Sequence, residues 1–153
     1  MIDSFAAAVE ASQLGMVARG SAWAYPIANL VHLLGLVLLV GGIGILDLRI
    51  LGAFPSLPLP ALSRALTPLA IAGLILMLPS GLVLFAADAG ALVGSDRFRL
   101  KLVLIALALA NALAFRVVGR ADARPTGTMR LMAAVSLALW LGVAALGRLI
   151  AYS

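Results

Sequence analysis

The sequence predicts an all-α integral membrane protein, a bundle of four transmembrane helices preceded by a short amphipathic helix at the membrane interface. Two observations predict this fold. Hydrophobic residues make up 64% of the 153-residue chain and charged residues only 11%, a composition too apolar for a soluble domain of this size. Four segments also reach the length of about 20 apolar residues that a spanning helix needs. They are residues 27–46, 66–87, 100–118 and 131–150, and together with the rest of 1–153 they form one membrane domain.

The segments between the spans carry signals of their own. Residues 3–18 alternate apolar and polar side chains at helical spacing, which predicts a helix lying along the interface. The amino terminus lacks the basic region of a signal peptide, so we expect the first span to be retained. Three prolines within residues 54–60 predict a stiff, non-helical linker between the first two spans. Pro79 lies inside the second span and predicts a kink there.

Charge predicts the orientation of the chain. The net charge of +5 comes mainly from arginines at helix ends, where they contact lipid headgroups, and nucleic acid is not an expected partner. The positive-inside rule favours the first and third interhelical loops in the cytoplasm. We therefore expect a multi-pass protein of the bacterial inner membrane with both termini in the periplasm. The arginines counted as cytoplasmic are Arg64, Arg120, Arg124 and Arg130, against Arg19, Arg97 and Arg99 on the other side.

His32 is the single histidine of the chain and lies near the start of the first span. An ionisable residue at membrane depth is costly, so it is a candidate functional residue. Helical spacing places Gly35 and Gly42 on the same face of the helix as His32. Glycines beside an imidazole permit either a close helix contact or a flat macrocycle lying against the backbone. The sequence leaves both alternatives open.

Lys101 and Arg148 are expected at the same depth as His32, because neighbouring helices run in opposite directions. The resulting layer contains an imidazole below two cations. It suits haem b, with His32 as the axial iron ligand and the two cations neutralising the propionates. One alternative is that His32 forms a hydrogen bond to a neighbouring helix while Lys101 and Arg148 anchor the helix ends. Another is a proton or ion path.

The sixth ligand of such a haem is not evident, because the chain has no second histidine. Met77 lies near the middle of the second span and is a candidate, although a buried methionine more often serves packing. Five-coordinate iron, or ligands shared within a homo-oligomer, are the alternatives. The chain has no cysteine, and no acidic residue is expected beside His32. A catalytic triad and a carboxylate-rich metal site therefore lack support.

Four further predictions concern the rest of the bundle. Asp47, Arg49 and Arg116 are expected near one another, as an ion pair at a helix end. Asn111 is expected to point into the bundle and form a hydrogen bond between helices. Trp140 is predicted to be a packing residue. The small residues Ala138 and Gly142 favour close helix packing.

Several short motifs carry a resemblance to known proteins. They are His32-Leu33-Leu34-Gly35, Gly41-Gly42, Asp47-Leu48-Arg49-Ile50-Leu51-Gly52, Phe98-Arg99-Leu100-Lys101-Leu102 and Gly147-Arg148-Leu149-Ile150-Ala151-Tyr152. With these motifs the chain resembles an uncharacterised family of small bacterial four-helix membrane proteins over nearly its whole length, and is more distantly similar to the copper resistance protein D family and to HemJ-type haem-containing protoporphyrinogen oxidases. The resemblance implies a haem-ligand role for His32 and a companion role for Lys101. It does not extend to the oxidase pattern after the arginine or in the last loop.

Taken together, the sequence predicts a haem b-binding membrane protein that takes part in electron transfer, with quinone or a redox protein as partner. The predicted cofactor-binding residues are His32, Gly35, Met77, Lys101 and Arg148. The alternatives are a membrane subunit or assembly factor without a cofactor, and copper or small-solute transport. The sequence does not decide whether the protein is an enzyme.

Overall fold

The computed structural model describes residues 2–118 and 124–150. Helices account for nearly all of these residues, and no strand occurs among them. Arg120 and Tyr152, two residues at predicted membrane surfaces, lie outside the described ranges. The helices are α1 Ile2–Ala11, α2 Gln13–Gly20, α3 Ala24–Leu51, α4 Leu59–Ala87, α5 Ala89–Gly94, α6 Asp96–Val118 and α7 Gly127–Ile150.

Four of the described helices, α3, α4, α6 and α7, are long and apolar enough to cross a membrane. They coincide with the four predicted spans, so the predicted all-α, four-span fold is confirmed. Large apolar side chains are exposed along them, including Leu30, Val37 and Leu113 at 68% each. Such side chains are stable only when a bilayer covers them. The protein is therefore a multi-pass membrane protein.

The linker between the first two spans is shorter than predicted. Helix α3 ends at Gly52, whose φ of 118° is left-handed, and Phe54 also has a positive φ of 51°. Helix α4 then begins at Leu59 and includes Pro60 in its first turn. Proline is tolerated at that place because the first N–H groups of a helix have no partner within it. The prediction of a non-helical linker was therefore wrong for its last two residues.

The amino-terminal segment forms two short helices, α1 and α2, instead of one continuous helix. The backbone N–H of Gly15 donates to the Ser12 hydroxyl at 3.3 Å, which caps α2. The chain turns so sharply there that a Cβ on Gly15 would lie only 2.4 Å from the Glu10 carbonyl oxygen. Helix α2 packs against α4 and α1 against α5. The segment thus covers one end of the bundle.

Helix α3 is central to the bundle and packs against both α4 and α7, while α6 packs against α7. Within the described ranges, the backbones of α4 and α6 do not come into contact. A seam therefore runs between these two helices. Phe85 of α4 and Phe98 of α6 stack across it near one end, with ring centroids 5.7 Å apart. The buried core lies beside the seam and contains Leu39, Ala70, Ala108, Trp140 and Val143.

Helices α3 and α4 touch through glycines. A Cβ added to Gly73 would lie 2.5 Å from the Gly35 carbonyl oxygen and 2.6 Å from the Leu39 nitrogen. Gly42 extends the contact further along α3, since its Cβ would lie 3.0 Å from the Leu66 carbonyl oxygen. Small residues are what allow helix backbones to approach this closely in a membrane. The sequence left two roles open for Gly35, and in the structure it lies at this close helix contact.

Candidate functional site

The His32 end of the bundle comprises the starts of α3 and α6 and the ends of α4 and α7. His32 is half-buried there, and its Nδ1 lies 3.1 Å from the Ser80 hydroxyl oxygen. The Ser80 hydroxyl itself donates to the Leu76 carbonyl oxygen at 2.6 Å. A hydroxyl has one hydrogen, and here it is used on a carbonyl, so Oγ accepts from the ring. Nδ1 therefore carries a hydrogen, and in the neutral ring the lone pair is on Nε2.

Gly81 lies directly beside the imidazole. A Cβ at this position would stand 3.2 Å from Cε1 and 3.5 Å from Nδ1 of His32. The ring therefore packs against the backbone of α4, next to Pro79. Helix α4 continues through that proline. The sequence signalled this region through its Pro-Ser-Gly run, but the roles of Ser80 and Gly81 were not predicted.

Lys101 meets the expectation of a shared depth with His32. Its half-buried ammonium group is close enough to act electrostatically on the imidazole. It also lies over α7, where a Cβ on Gly147 would be 3.7 Å from Nζ. Arg148 follows Gly147 in the chain and is exposed. The structure therefore brings His32 and Lys101 into one layer, with Arg148 at its exposed margin.

Met77 and Gly35 lie next to this layer, on its core side. The Met77 side chain fills the space beside the glycine, since a Cβ on Gly35 would come within 2.7 Å of Met77 Cγ. Met77 also packs against the core cluster that contains Leu39. In this arrangement the surface that Gly35 leaves open is occupied by α4. Whether the Met77 thioether can act as an iron ligand remains a prediction.

At the other end of the molecule, the predicted ion pair is not formed. The only salt bridge within the described residues joins Arg99 and Asp96. Arg49 instead donates to the carbonyl oxygens of Leu57 at 2.7 Å and Pro55 at 3.2 Å, which braces the linker. The buried face of a 28-residue helix shifts gradually around the helix axis. A spacing of three and four residues therefore did not predict that Asp47 lies on that face.

Asp47 is 6% exposed, and the Ser136 side chain lies close enough to interact with its carboxyl group. Its Oδ2 is buried and has no partner. Asn111 also points inward, where its Nδ2 donates to the Met132 carbonyl oxygen at 3.1 Å, as predicted. Both residues line a cavity of about 630 Å³ beside the α4–α6 seam. We call this end of the bundle the Asp47 end.

Comparison with protein-family models, with curated proteins and with solved structures finds no match. The described residues contain no group of three or more histidine, cysteine, aspartate or glutamate side chains that is suited to hold a metal ion.

Proposed function

We propose that the protein binds haem b through His32 and takes part in electron transfer within the membrane. The observation that supports this most directly is the chain from His32 Nδ1 through the Ser80 hydroxyl to the Leu76 carbonyl. Metal-ligating histidines almost always donate their second ring N–H in this way, which fixes the tautomer and the ring orientation. The lone pair on Nε2 is then the donor that haem iron requires.

The residues around His32 also fit the charge of haem. A porphyrin supplies the other four iron ligands, so a site with one histidine suffices for attachment. Lys101 offers a cation within electrostatic range of the ring, as propionate groups require. Arg148 lies nearby on α7 and is proposed as the second cation. When bound, haem supplies one-electron chemistry, for which we propose quinone or a membrane redox protein as partner.

A second protein ligand to the iron would come from one of two places. Met77 is one turn from the His32 layer on the α3–α4 contact, and its side chain packs against Gly35. Alternatively, a homo-oligomer presents His32 from a second copy, because each chain has one histidine. The two coordination modes have different near-infrared and electron paramagnetic resonance spectra. Recording both spectra on the haem-loaded protein distinguishes them.

We further propose that the protein resides in a bacterial inner membrane with both termini in the periplasm. The proposal is supported by the excess of arginines near the first and third interhelical loops. The His32 layer would then face the periplasm and Asp47 the cytoplasm. Labelling of single cysteines introduced at Ser56 and Ser95 with an impermeant reagent on intact spheroplasts tests this orientation. Labelling of Ser95→Cys alone is the expected result.

The haem proposal is tested by purifying the protein in mild detergent from cells supplied with a haem precursor. Visible spectra of the oxidised and dithionite-reduced protein are expected to contain a Soret band and reduced α and β bands. A pyridine haemochrome assay gives the stoichiometry. His32→Ala is expected to lose the bands, whereas Ser63→Ala, a hydroxyl deletion in α4 near the Asp47 end, is expected to retain them. A colourless protein of unchanged helicity would overturn the proposal and favour a structural or transport role.

A further inference from the structure

Two residues that line the cavity at the Asp47 end each carry a buried polar atom without a partner. Among the described residues, Asp47 Oδ2 and Trp140 Nε1 are the buried side-chain oxygen and nitrogen atoms that lack a hydrogen bond. Their residues are 6% and 3% exposed, and both line the same cavity. An unpartnered buried polar group is destabilising. Two such residues beside one cavity make it a candidate ligand site.

The two residues have complementary hydrogen-bonding chemistry. The Asp47 carboxyl group offers oxygens that accept hydrogen bonds, while the indole N–H of Trp140 only donates. Ser136 interacts with the Asp47 side chain and precedes Trp140 by one helical turn on α7. A hydroxyl group donates through its hydrogen and accepts through its oxygen. A ligand hydroxyl group therefore has the chemistry to donate to Asp47 and to accept from Trp140.

The rest of the cavity is apolar. Its lining includes Leu39, Leu74, Leu109 and Phe115, and it draws on all four spanning helices. The volume of about 630 Å³ lies within the range that small-molecule sites occupy. A single water molecule would leave most of this apolar space unfilled. The ligand therefore has a sizeable apolar body as well as its hydroxyl group.

We propose that this cavity binds the phenolic head group of a lipid-soluble molecule, with the hydroxyl between Asp47 and Trp140 and the tail leaving along the α4–α6 seam. A phenol is neutral, which suits a cavity lined by both Asp47 and Arg116. Its ring packs against the aromatic side chains of Trp140 and Phe115. The phenol site does not depend on haem. Only the narrower choice of a redox-active hydroquinone as the natural ligand rests on the proposed function.

The test uses two probes that differ in one group, because a methyl group replaces the hydroxyl hydrogen in the second probe. These are 2-bromo-4-decylphenol and its methyl ether, added to the full-length Trp23→Phe protein in lipid nanodiscs. The chain has two tryptophans, so Trp140 is the only fluorophore of its kind in this variant, and bromine quenches indole on contact. We expect saturable quenching by the phenol and at least tenfold weaker binding of the ether. The control variant Asp96→Asn changes an exposed acid at the other end and is expected to bind like the parent.

Asp47 provides the decisive variants. Asp47→Leu is expected to bind phenol and ether equally, because the acceptor for the hydroxyl is gone. Asp47→Asn places an amide N–H in the cavity and is expected to narrow or reverse the preference for the phenol. Equal affinity of the parent for both probes, or a phenol preference unchanged in Asp47→Leu, would overturn the proposal. So would Asp47-dependent binding of a brominated alkylammonium without phenol binding, which would indicate a cation site.

Recording visible absorbance on the same Trp23→Phe sample separates this proposal from the haem proposal. Phenol binding by a protein without haem bands would leave the cavity assignment intact although the haem proposal had failed, and haem bands without a phenol preference would do the opposite. In the His32→Ala background the phenol preference is expected to persist, because the cavity lies at the other end of the bundle.

Discussion

The two ends of the bundle differ in whether their buried polar groups have hydrogen-bond partners. At the His32 end, the imidazole and the Ser80 hydroxyl form a chain that ends on a backbone carbonyl. At the Asp47 end, one carboxyl oxygen of Asp47 and the indole N–H of Trp140 are buried without partners, and both residues line a cavity. Satisfied polar groups hold helices in register within a membrane, whereas unsatisfied ones beside a cavity reduce stability until a ligand binds. The close contact of Gly35 with Gly73 lies between the two ends.

Gly73→Val is expected to have the largest effect, because it removes the contact that separates the two ends. The added side chain would meet the backbone of α3 and lower the free energy of unfolding by about 3 kcal/mol. Unfolding by sodium dodecyl sulfate, followed by circular dichroism, measures this. Gly41→Val is the matched control, since no atom lies within 4 Å of its added Cβ. A Gly73→Val protein as stable as Gly41→Val would contradict the observed helix contact.

Removing the acceptor at the His32 end is expected to destabilise the protein. Ser80→Ala leaves Nδ1–H of His32 without this hydroxyl, and we expect the free energy of unfolding to fall by about 1–2 kcal/mol. Haem affinity, if haem is bound, should fall by about 10–100-fold, the usual cost of losing such a partner. Ser63→Ala serves as control, because its hydroxyl makes only a 3.4 Å contact with Thr67. Equal stability of the two variants would mean that the hydrogen bond between His32 and Ser80 does not stabilise the protein.

The opposite sign is expected at the Asp47 end. The double variant Asp47→Leu with Ser136→Ala replaces an incompletely satisfied polar pair by apolar groups. In the absence of ligand we expect it to raise the free energy of unfolding by about 1 kcal/mol, while phenol selectivity is lost. The same unfolding titration measures the first effect. A loss of stability would mean that the carboxylate is already satisfied and that the two ends are alike.

Gly81→Ala is expected to have the smallest effect and to refine the geometry of the His32 end. The new methyl group would be 3.2 Å from Cε1 of His32, so the ring must shift by a few tenths of an ångström. We expect the free energy of unfolding to change by less than about 1 kcal/mol. For the proposed haem-bound form, the Soret and paramagnetic resonance spectra are the more sensitive measurements. Gly94→Ala, where the added Cβ meets no atom, should leave the spectra unchanged.

The spans and the depth of the His32 layer were predictable because they follow from hydropathy and helix direction. Four apolar segments of membrane length imply alternating helices, and alternation alone places Lys101 level with His32. The boundaries were less predictable. Helix α4 begins at Leu59, before Pro60, because a proline in the first turn costs nothing there, and Ser12 divides the amino-terminal segment by capping α2.

The side-chain partners were harder to predict, since they depend on helix rotation. Ser80 was part of a predicted kink, but its orientation toward His32 is a tertiary feature. Asp47 was expected in an ion pair, and the burial of its carboxylate against Ser136 became visible only with the helix contacts. Trp140 was correctly predicted as a buried packing residue. The sequence could not predict that the Trp140 indole nitrogen has no partner, because this depends on which groups the tertiary fold places around it.

The seam between α4 and α6 determines which ligand concentration controls the occupancy of the cavity. The α4 and α6 backbones do not touch among the described residues, and Phe85 and Phe98 stack across the gap near the His32 end. A hydrophobic ligand would then reach the cavity sideways, from the acyl chains. Its occupancy would follow the mole fraction of ligand in the lipid and would fall when the same amount is diluted with empty vesicles at constant aqueous volume.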